Sequence, residues 1–182
     1  LRQLRHFRRS DGYSVAMKVL GIDPGLTRCG VGVLTGNPGK ALNFVEVGVI
    51  TTAPTLPLAE RLHAINEGLS EWIDRHQPDE ISVERVFAQA NRRSAMETAQ
   101  AAGLALTLAA ARNIPVTLHT PSEVKAAVTG SGRADKAQVG EMVRRLLRLK
   151  EVPQPADAAD ALALAICHIY QSAMRAKIGA SK

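Results

Sequence analysis

The sequence has few cysteines and no long apolar run, and both features narrow the range of possible functions. Two cysteines stand among 182 residues, Cys29 and Cys167, with neither paired nor metal-ligand spacing. We expect reduced thiols in packed elements, which makes redox chemistry a poor candidate. No window approaches the ~18 apolar residues of a membrane span, and no apolar signal-peptide core follows the basic N-terminus. The sequence therefore predicts a soluble, cytoplasmic protein without membrane association.

Length and charge give a first outline of the chain. With 46% hydrophobic residues, a chain of this length fits one compact domain. We place that domain at residues 17–174, between a basic extension at 1–16, expected to be disordered, and a flexible tail at 175–182. The extension could instead be an arm that binds nucleic acid. The net charge of +6 suggests a polyanionic partner, although charge alone supports nucleic acid only weakly.

Hydrophobic periodicity predicts a fold of alternating elements. Three β-rich runs come first, and helices alternate with two further strands after them. This order predicts an α/β fold with a mixed five-stranded sheet, in which three antiparallel strands are followed by parallel ones and helices cover both faces. The predicted strands are 18–23, 28–34, 41–50, 80–84 and 114–119, and the predicted helices are 58–76, 93–112, 121 to about 130, 135–148 and 155 onward.

Four carboxylates fall at positions where the elements end or meet. Asp23 ends the first strand and Glu84 the fourth, while Asp157 and Asp160 share a face of the last helix because they lie three residues apart. If the first and fourth strands are neighbours, Asp23 and Glu84 come within about 5 Å of each other. Converging acids repel one another, and a divalent cation resolves the conflict.

The chemistry of such a site follows from its ligands. Oxygen-only, carboxylate-rich sites suit Mg²⁺ or Mn²⁺ and disfavour zinc. Two such ions can activate a water and stabilise the leaving oxygen of a phosphodiester, so hydrolysis of nucleic acid is the natural reaction. Each acid also has a simpler interpretation: Asp23 as a turn residue, Glu84 as a strand-end charge, and Asp157 with Asp160 as acids that favour a helix start.

Four stretches of the sequence carry a family resemblance. They are "GIDPGLTRCGVGV" (21–33), "VERVF" (83–87), "TPSEVKAAVTGSGRADKAQV" (120–139) and "PADAADALALAICH" (155–168). From Met17 to about Met174 the sequence resembles the RuvC family of Holliday-junction resolvases. The resemblance implies an RNase H-like fold and a homodimer that makes paired, symmetrical nicks across a four-way DNA junction in recombination and repair. It also implies Mg²⁺ in each active site, two ions being expected and Mn²⁺ able to substitute.

The resemblance also implies roles for individual residues. The four acids fall on the family's catalytic, metal-binding positions, although some members carry histidine at the position of Asp157. Phe87 matches an aromatic residue used against bases near the junction centre, where stacking contributes ~1–3 kcal/mol. The basic residues expected near DNA are Lys125 and Lys136, at positions that approach the scissile phosphates, and Arg92, Arg93 and Arg133, which are candidates for backbone contact.

Several alternatives remain open at this stage. Phe87 could be a core residue, both lysines could be solvated surface charges, and His119 and His168 are expected to pack or cap. "GIDPGLTRCGVGV" also resembles the first phosphate loop of actin-type ATPases and sugar kinases, which need two such domains, so we expect no small-molecule nucleotide. A non-catalytic junction-binding module, and a related nuclease acting on structured RNA, are further alternatives. A branch-migration helicase complex is the expected protein partner.

Overall fold

The structure, a computed structural model, describes residues 16–86 and 92–180, with the backbone alone at 92–94 and 174–180. Phe87 and residues 1–15 of the expected extension lie outside this range. The strands are β1 (Met17–Asp23), β2 (Arg28–Gly36), β3 (Asn43–Thr51), β4 (Glu80–Glu84) and β5 (Val116–His119). The helices are α1 (Leu58–His76), α2 (Arg92–Ala111), α3 (Pro121–Thr129), α4 (Lys136–Leu146) and α5 (Ala156–Ala180).

The strands form the predicted mixed sheet. Their order is β3-β2-β1-β4-β5, with antiparallel pairing among the first three and parallel pairing of β1 with β4 and of β4 with β5. The expected neighbourhood of the first and fourth strands is confirmed. Since Ile22 pairs with Val83, the next residues, Asp23 and Glu84, end adjacent parallel strands at the same edge of the sheet.

The two faces of the sheet carry different residues because side chains alternate along a strand. Toward α1 and α2, the two central strands present the fully buried Leu20, Ile22, Ile81 and Val83. The alternate positions face α5. There the Ser82 hydroxyl donates to the carbonyl of Leu164 at 3.0 Å.

Helix α5 packs on the sheet at backbone distance. A Cβ added at Gly21 would overlap the carbonyl oxygen of Ala161, and one added at Gly30 would overlap that of Asp157. These two strand glycines have no side chain and so admit the helix. The close approach fixes where the first turn of α5 lies, and with it both of its acids.

The ends of the helices are set by local sequence. Thr120 and Glu123 form a capping box at the start of α3, and Gly130 ends that helix in a left-handed conformation with φ of 80°. A second capping box, Asp135 with Gln138, begins α4. The backbone of α5 stays helical to Ala180, past the expected domain boundary at Met174. In the described part of the chain, every helix is too short or too polar to cross a membrane.

Candidate active site

Three of the four predicted acids line one cleft at the edge of the sheet. Asp23, Glu84 and Asp160 come from β1, β4 and α5, and the two predicted lysines, Lys125 on α3 and Lys136 on α4, line the same cleft. The cleft has a volume of about 240 Å³ and is completed by Pro121, Val124, Val139 and Ala163. Five elements that are distant in sequence thus bring carboxylates and ammonium groups into one cleft.

The surroundings of Asp23 strongly disfavour the ionised form of its carboxyl group. Burial raises the pKa of its carboxyl well above the ordinary value, and repulsion from Glu84, Asp160 and Asp157 raises that pKa further. Lys136 acts in the opposite direction and lowers it. The ionised form of Asp23 is therefore costly until a cation compensates it.

Glu84 repeats this pattern less strongly. Burial raises the pKa of Glu84 first and Asp160 raises it second, while Lys136 and Lys125 lower it. The ionised Glu84 carboxylate is thus destabilised by Asp160 and stabilised by the two lysines. The same lysines could meet a phosphate, because they present ammonium groups to the cleft.

Each acid of α5 is paired with a cation. The Lys136 Nζ atom lies 2.9 Å from Asp160 Oδ2, and this hydrogen bond and its charge raise the pKa of Lys136. The Arg28 Nε atom lies 2.8 Å from Asp157 Oδ2, which is buried and accepts no hydrogen bond of good geometry from the described residues. Asp157 lies one turn before Asp160 on α5 but lines a neighbouring groove rather than the main cleft.

The positions of the four carboxylates determine how well the site fits a divalent cation. As the side chains stand, the described residues hold no group of three or more His, Cys, Asp or Glu placed to bind one ion. The pairs with Lys136 and Arg28 account for this, since both α5 acids point to cations of the chain. Mutually repelling carboxylates and the orphaned Asp157 oxygen nevertheless fit a hard, oxygen-preferring cation.

Comparison with known proteins identifies the family. The sequence matches the family described as "Crossover junction endodeoxyribonuclease RuvC" over residues 19–168. The chain belongs to the RuvC family. The RuvC of a Parafrankia species is 59% identical over 91% of this chain and 93% of its own. That of Streptomyces griseus is 64% identical over 86% and 76%.

A solved RuvC structure agrees with the fold. Thermus thermophilus RuvC in complex with a Holliday junction substrate is 36% identical, with a TM-score of 0.82 over 87% of this chain and 96% of that one. The predicted RNase H-like architecture is thereby confirmed. RuvC proteins are crossover junction endodeoxyribonucleases that depend on a metal, and this chain is such an endonuclease by its family membership.

The remaining predicted DNA contacts fall at different places in this RuvC protein. Arg133 is exposed and lines a separate pocket beside the "GSGR" loop, together with Arg145 and Glu141. Arg92 and Arg93 begin α2, but their side chains, like Phe87, lie outside the described residues. Of the predicted basic residues whose side chains the structure describes, Lys125 and Lys136 line the main cleft.

The two predicted packing histidines form a buried polar chain. His119 Nε2 lies 3.1 Å from His168 Nδ1, and His168 Nε2 lies 2.7 Å from Glu80 Oε2. Cys167 contacts the other side of His119, with 3.8 Å between Sγ and Nδ1. The chain joins α5 to β4 and β5, which agrees with the expected packing role. Both cysteines are buried thiols rather than disulfides, and burial raises the pKa of Cys29 to about 12.

Sequence reasoning missed Arg28 and Arg61. Arg61 is buried in α1, and its Nε and Nη2 atoms donate to the hydroxyls of Thr52 and Thr27 at 3.0 and 2.8 Å. Thr27 belongs to the loop between β1 and β2, so its bond with Arg61 anchors that loop to α1. The signal for Arg61 was its position on the apolar side of a helical pattern, where a charged residue requires buried partners.

Proposed function

We propose that this protein resolves Holliday junctions in homologous recombination and DNA repair by paired, symmetrical hydrolytic nicks that leave 5′-phosphates. The observation that carries the proposal is the cleft that Asp23, Glu84 and Asp160 line together with Lys125 and Lys136. Carboxylates that need a cation lie there beside ammonium groups that suit a phosphate. That arrangement matches phosphodiester hydrolysis and has no equivalent use in a purely structural domain.

The carboxylates hold the cations. Asp23 stands at the centre, because repulsion from all three other acids acts on it. Glu84, Asp157 and Asp160 surround it, and we propose that they complete the ligand shell. Two Mg²⁺ ions, for which Mn²⁺ can substitute, would supply an activated water and stabilise the leaving oxygen.

The lysines and the rigid frame position the DNA. Lys125 and Lys136 neutralise the scissile phosphate from the α3 and α4 side without reading sequence. For Lys136 this requires leaving Asp160, an exchange that its largely exposed side chain permits. Phe87, Arg92, Arg93 and Arg133 are proposed as further DNA contacts, with Phe87 stacking on an opened base.

Symmetrical nicks require two active sites, so we propose a homodimer with a two-fold axis. The Ala-rich helix α2 is the proposed interface, and its Met96 is an exposed large apolar side chain there. We further propose residues 17–174 as the nuclease domain, and 1–16 and 175–182 as flexible ends. Action on chromosomal junctions implies a cytoplasmic site and association with a branch-migration helicase complex.

The test is cleavage of a labelled four-way junction and a matched linear duplex in Mg²⁺, with cuts mapped on all four arms. The wild type should nick two strands at symmetrical positions and leave the duplex intact. Asp160→Asn should bind the junction and not cut it. Glu151→Gln, a change at an exposed loop acid, is the matched control and should cut like the wild type.

Other results would separate the alternatives. Tight junction binding with no cutting in Mg²⁺ or Mn²⁺ would favour a non-catalytic binding module. Cutting of structured RNA in preference to the junction would favour a nuclease of another substrate class. Either result would overturn the proposed function.

A further inference from the structure

A second groove lies beside Asp157, which does not line the main cleft. Its volume is about 290 Å³, and its lining residues are Gly25, Leu26, Thr27, Arg28, Glu97, Thr98 and Asp157. Asp160 lines the cleft and Asp157 the groove, three residues apart on α5. A polymer that extends beyond the cleft from a phosphate at Asp23 can therefore reach this groove.

Among the residues that the structure describes, Arg28 supplies the cationic side chain of this groove, and its pairing is incomplete. The side chain is 59% exposed, whereas that of Asp157 is 20% exposed. The Nε atom reaches Asp157 Oδ2 at 2.8 Å, but the oxygen still lacks a hydrogen bond of good geometry from the described residues. Because Arg28 is largely exposed, it can regain water on leaving Asp157, whereas the buried Asp157 oxygen then needs another cation.

The wall of the groove is held rigidly. Thr52 donates its hydroxyl to the Leu26 carbonyl at 2.6 Å, and its backbone N–H donates to the Thr27 carbonyl at 3.1 Å. Behind Thr27 lies the buried guanidinium of Arg61, 2.8 Å from the Thr27 hydroxyl. A buried cation adds positive potential to this wall, and the bonds fix the segment from which the Arg28 side chain projects.

We propose that this groove is a second binding site for a DNA phosphate, and that Arg28 exchanges Asp157 for the phosphate when a divalent cation binds the carboxylates. The inference rests on the proposed function. The guanidinium fork suits phosphate, which it can bind through two hydrogen bonds. Without a divalent cation, Asp157 and Glu97 give the groove negative charge and Arg28 is engaged, so the site accepts a phosphate only after Asp157 is neutralised.

Junction affinity with and without a divalent cation tests the exchange. The full chain, Arg28→Gln and Arg75→Gln are titrated onto a labelled four-way junction in Ca²⁺ or in chelator, at several salt concentrations. A denaturing gel of the same samples verifies intact strands. Arg75 is the matched control, because it is also exposed and paired with an acid, Glu46, at 3.2 Å, and it lies at the opposite end of α1 from Arg61, which contacts the groove wall.

We expect Arg28→Gln to weaken binding about 3- to 10-fold in Ca²⁺ and to lower the salt slope by roughly 0.9, the contribution of one phosphate contact. In chelator it should bind like the wild type, and Arg75→Gln should match the wild type in both. Equal losses with and without Ca²⁺ would overturn the exchange. No loss in either condition would overturn the site, while junction cleavage by the wild type would leave the proposed function intact.

Binding of Mn²⁺ without DNA gives an independent readout. If Arg28 competes for Asp157, Arg28→Gln should bind Mn²⁺ about 2- to 5-fold more tightly than the wild type, because one competing cation is gone. Paramagnetic resonance of free Mn²⁺ measures this directly. Unchanged Mn²⁺ affinity would contradict the competition, and failure of the wild type to bind the junction would overturn the proposed function along with this site.

Discussion

The same strands form both faces of the sheet, but the two faces carry different residues and make different contacts. Toward α1 and α2, β1 and β4 present Leu20, Ile22, Ile81 and Val83, all fully buried. Each such side chain stabilises the fold by about 1.5–3 kcal/mol. Toward α5, the alternate positions hold the buried Val19 as well as Gly21, Ser82 and the acids Asp23 and Glu84. Both faces bury an apolar core, but the α5 face also lets a helix approach at backbone distance and carries the acids.

The difference teaches why the site lies at the end of α5. The helix reaches the backbone of β1 and β2 through Gly21 and Gly30, which holds its first turn against Asp23. Burial first, and then repulsion among the acids gathered there, raises the pKa of Asp23. A divalent cation that binds the folded chain should therefore stabilise it as well as enable cleavage.

The largest expected effect comes from removing the Asp23 carboxylate, the central charge on the α5 face of the sheet. Asp23→Asn should lower single-turnover cleavage of the junction by about 10²- to 10³-fold or more, since the central charged group of the site is lost. Junction binding should persist. Cleavage within tenfold of the wild type would show that Asp23 is a turn residue only.

The next effect comes from filling the contact between α5 and the sheet. Gly21→Ala places a Cβ against the Ala161 carbonyl, and such overpacking costs about 1–3 kcal/mol or more. Gly103→Ala is the matched control, because nothing lies within 4 Å of its added Cβ and alanine favours α2 by about 1 kcal/mol. Denaturant unfolding should thus move the two variants in opposite directions. Equal stabilities would refute the close contact.

A smaller effect should follow from cutting the buried polar chain behind the site. His168→Leu leaves His119 and Glu80 without this partner, which should cost about 1–3 kcal/mol. The exposed His63 of α1 offers the control, and His63→Leu should change stability by no more than about 0.5 kcal/mol. Thermal unfolding measures both. If His168→Leu left the melting temperature unchanged, the hydrogen bonds of His168 with His119 and Glu80 would not be what fastens α5 to the sheet.

The smallest effect concerns pH. The raised pKa of Asp23 means that ionisation of this group destabilises the folded, metal-free protein as pH rises above the ordinary aspartate pKa. Asp23→Asn in chelator should therefore raise the melting temperature at pH 8, by about 2–4 °C for each kcal/mol recovered. The gain should shrink toward pH 4.5, where the wild-type group is increasingly protonated. A constant gain across that range would contradict the burial of its charge.

Much of the fold followed from local sequence signals. The predicted bounds of α1 and β4 are those observed, because apolar spacing and flanking proline mark both elements. The capping box of Thr120 and Glu123 was also visible as a four-residue pattern. The cap of α4 by Asp135 and Gln138 has the same kind of signature and was overlooked.

The rest depends on contacts between elements. Nothing local reveals that Gly21 lies opposite Ala161, because this requires both the register of β1 and the position of α5. The pair of Arg28 with Asp157 joins the start of β2 to the last helix, so the position of Arg28 within "GIDPGLTRCGVGV" does not reveal it. The split of Asp157 and Asp160 between groove and cleft likewise needs the three-dimensional packing.

The most direct test of the account is anomalous diffraction from crystals grown with Mn²⁺. We predict Mn²⁺ among the carboxylates of Asp23, Glu84, Asp157 and Asp160, with Lys136 and Arg28 moved away from their acidic partners. Mn²⁺ bound elsewhere, with both ion pairs intact at saturating metal, would contradict the claim that this face of the sheet is built to hold the catalytic cation.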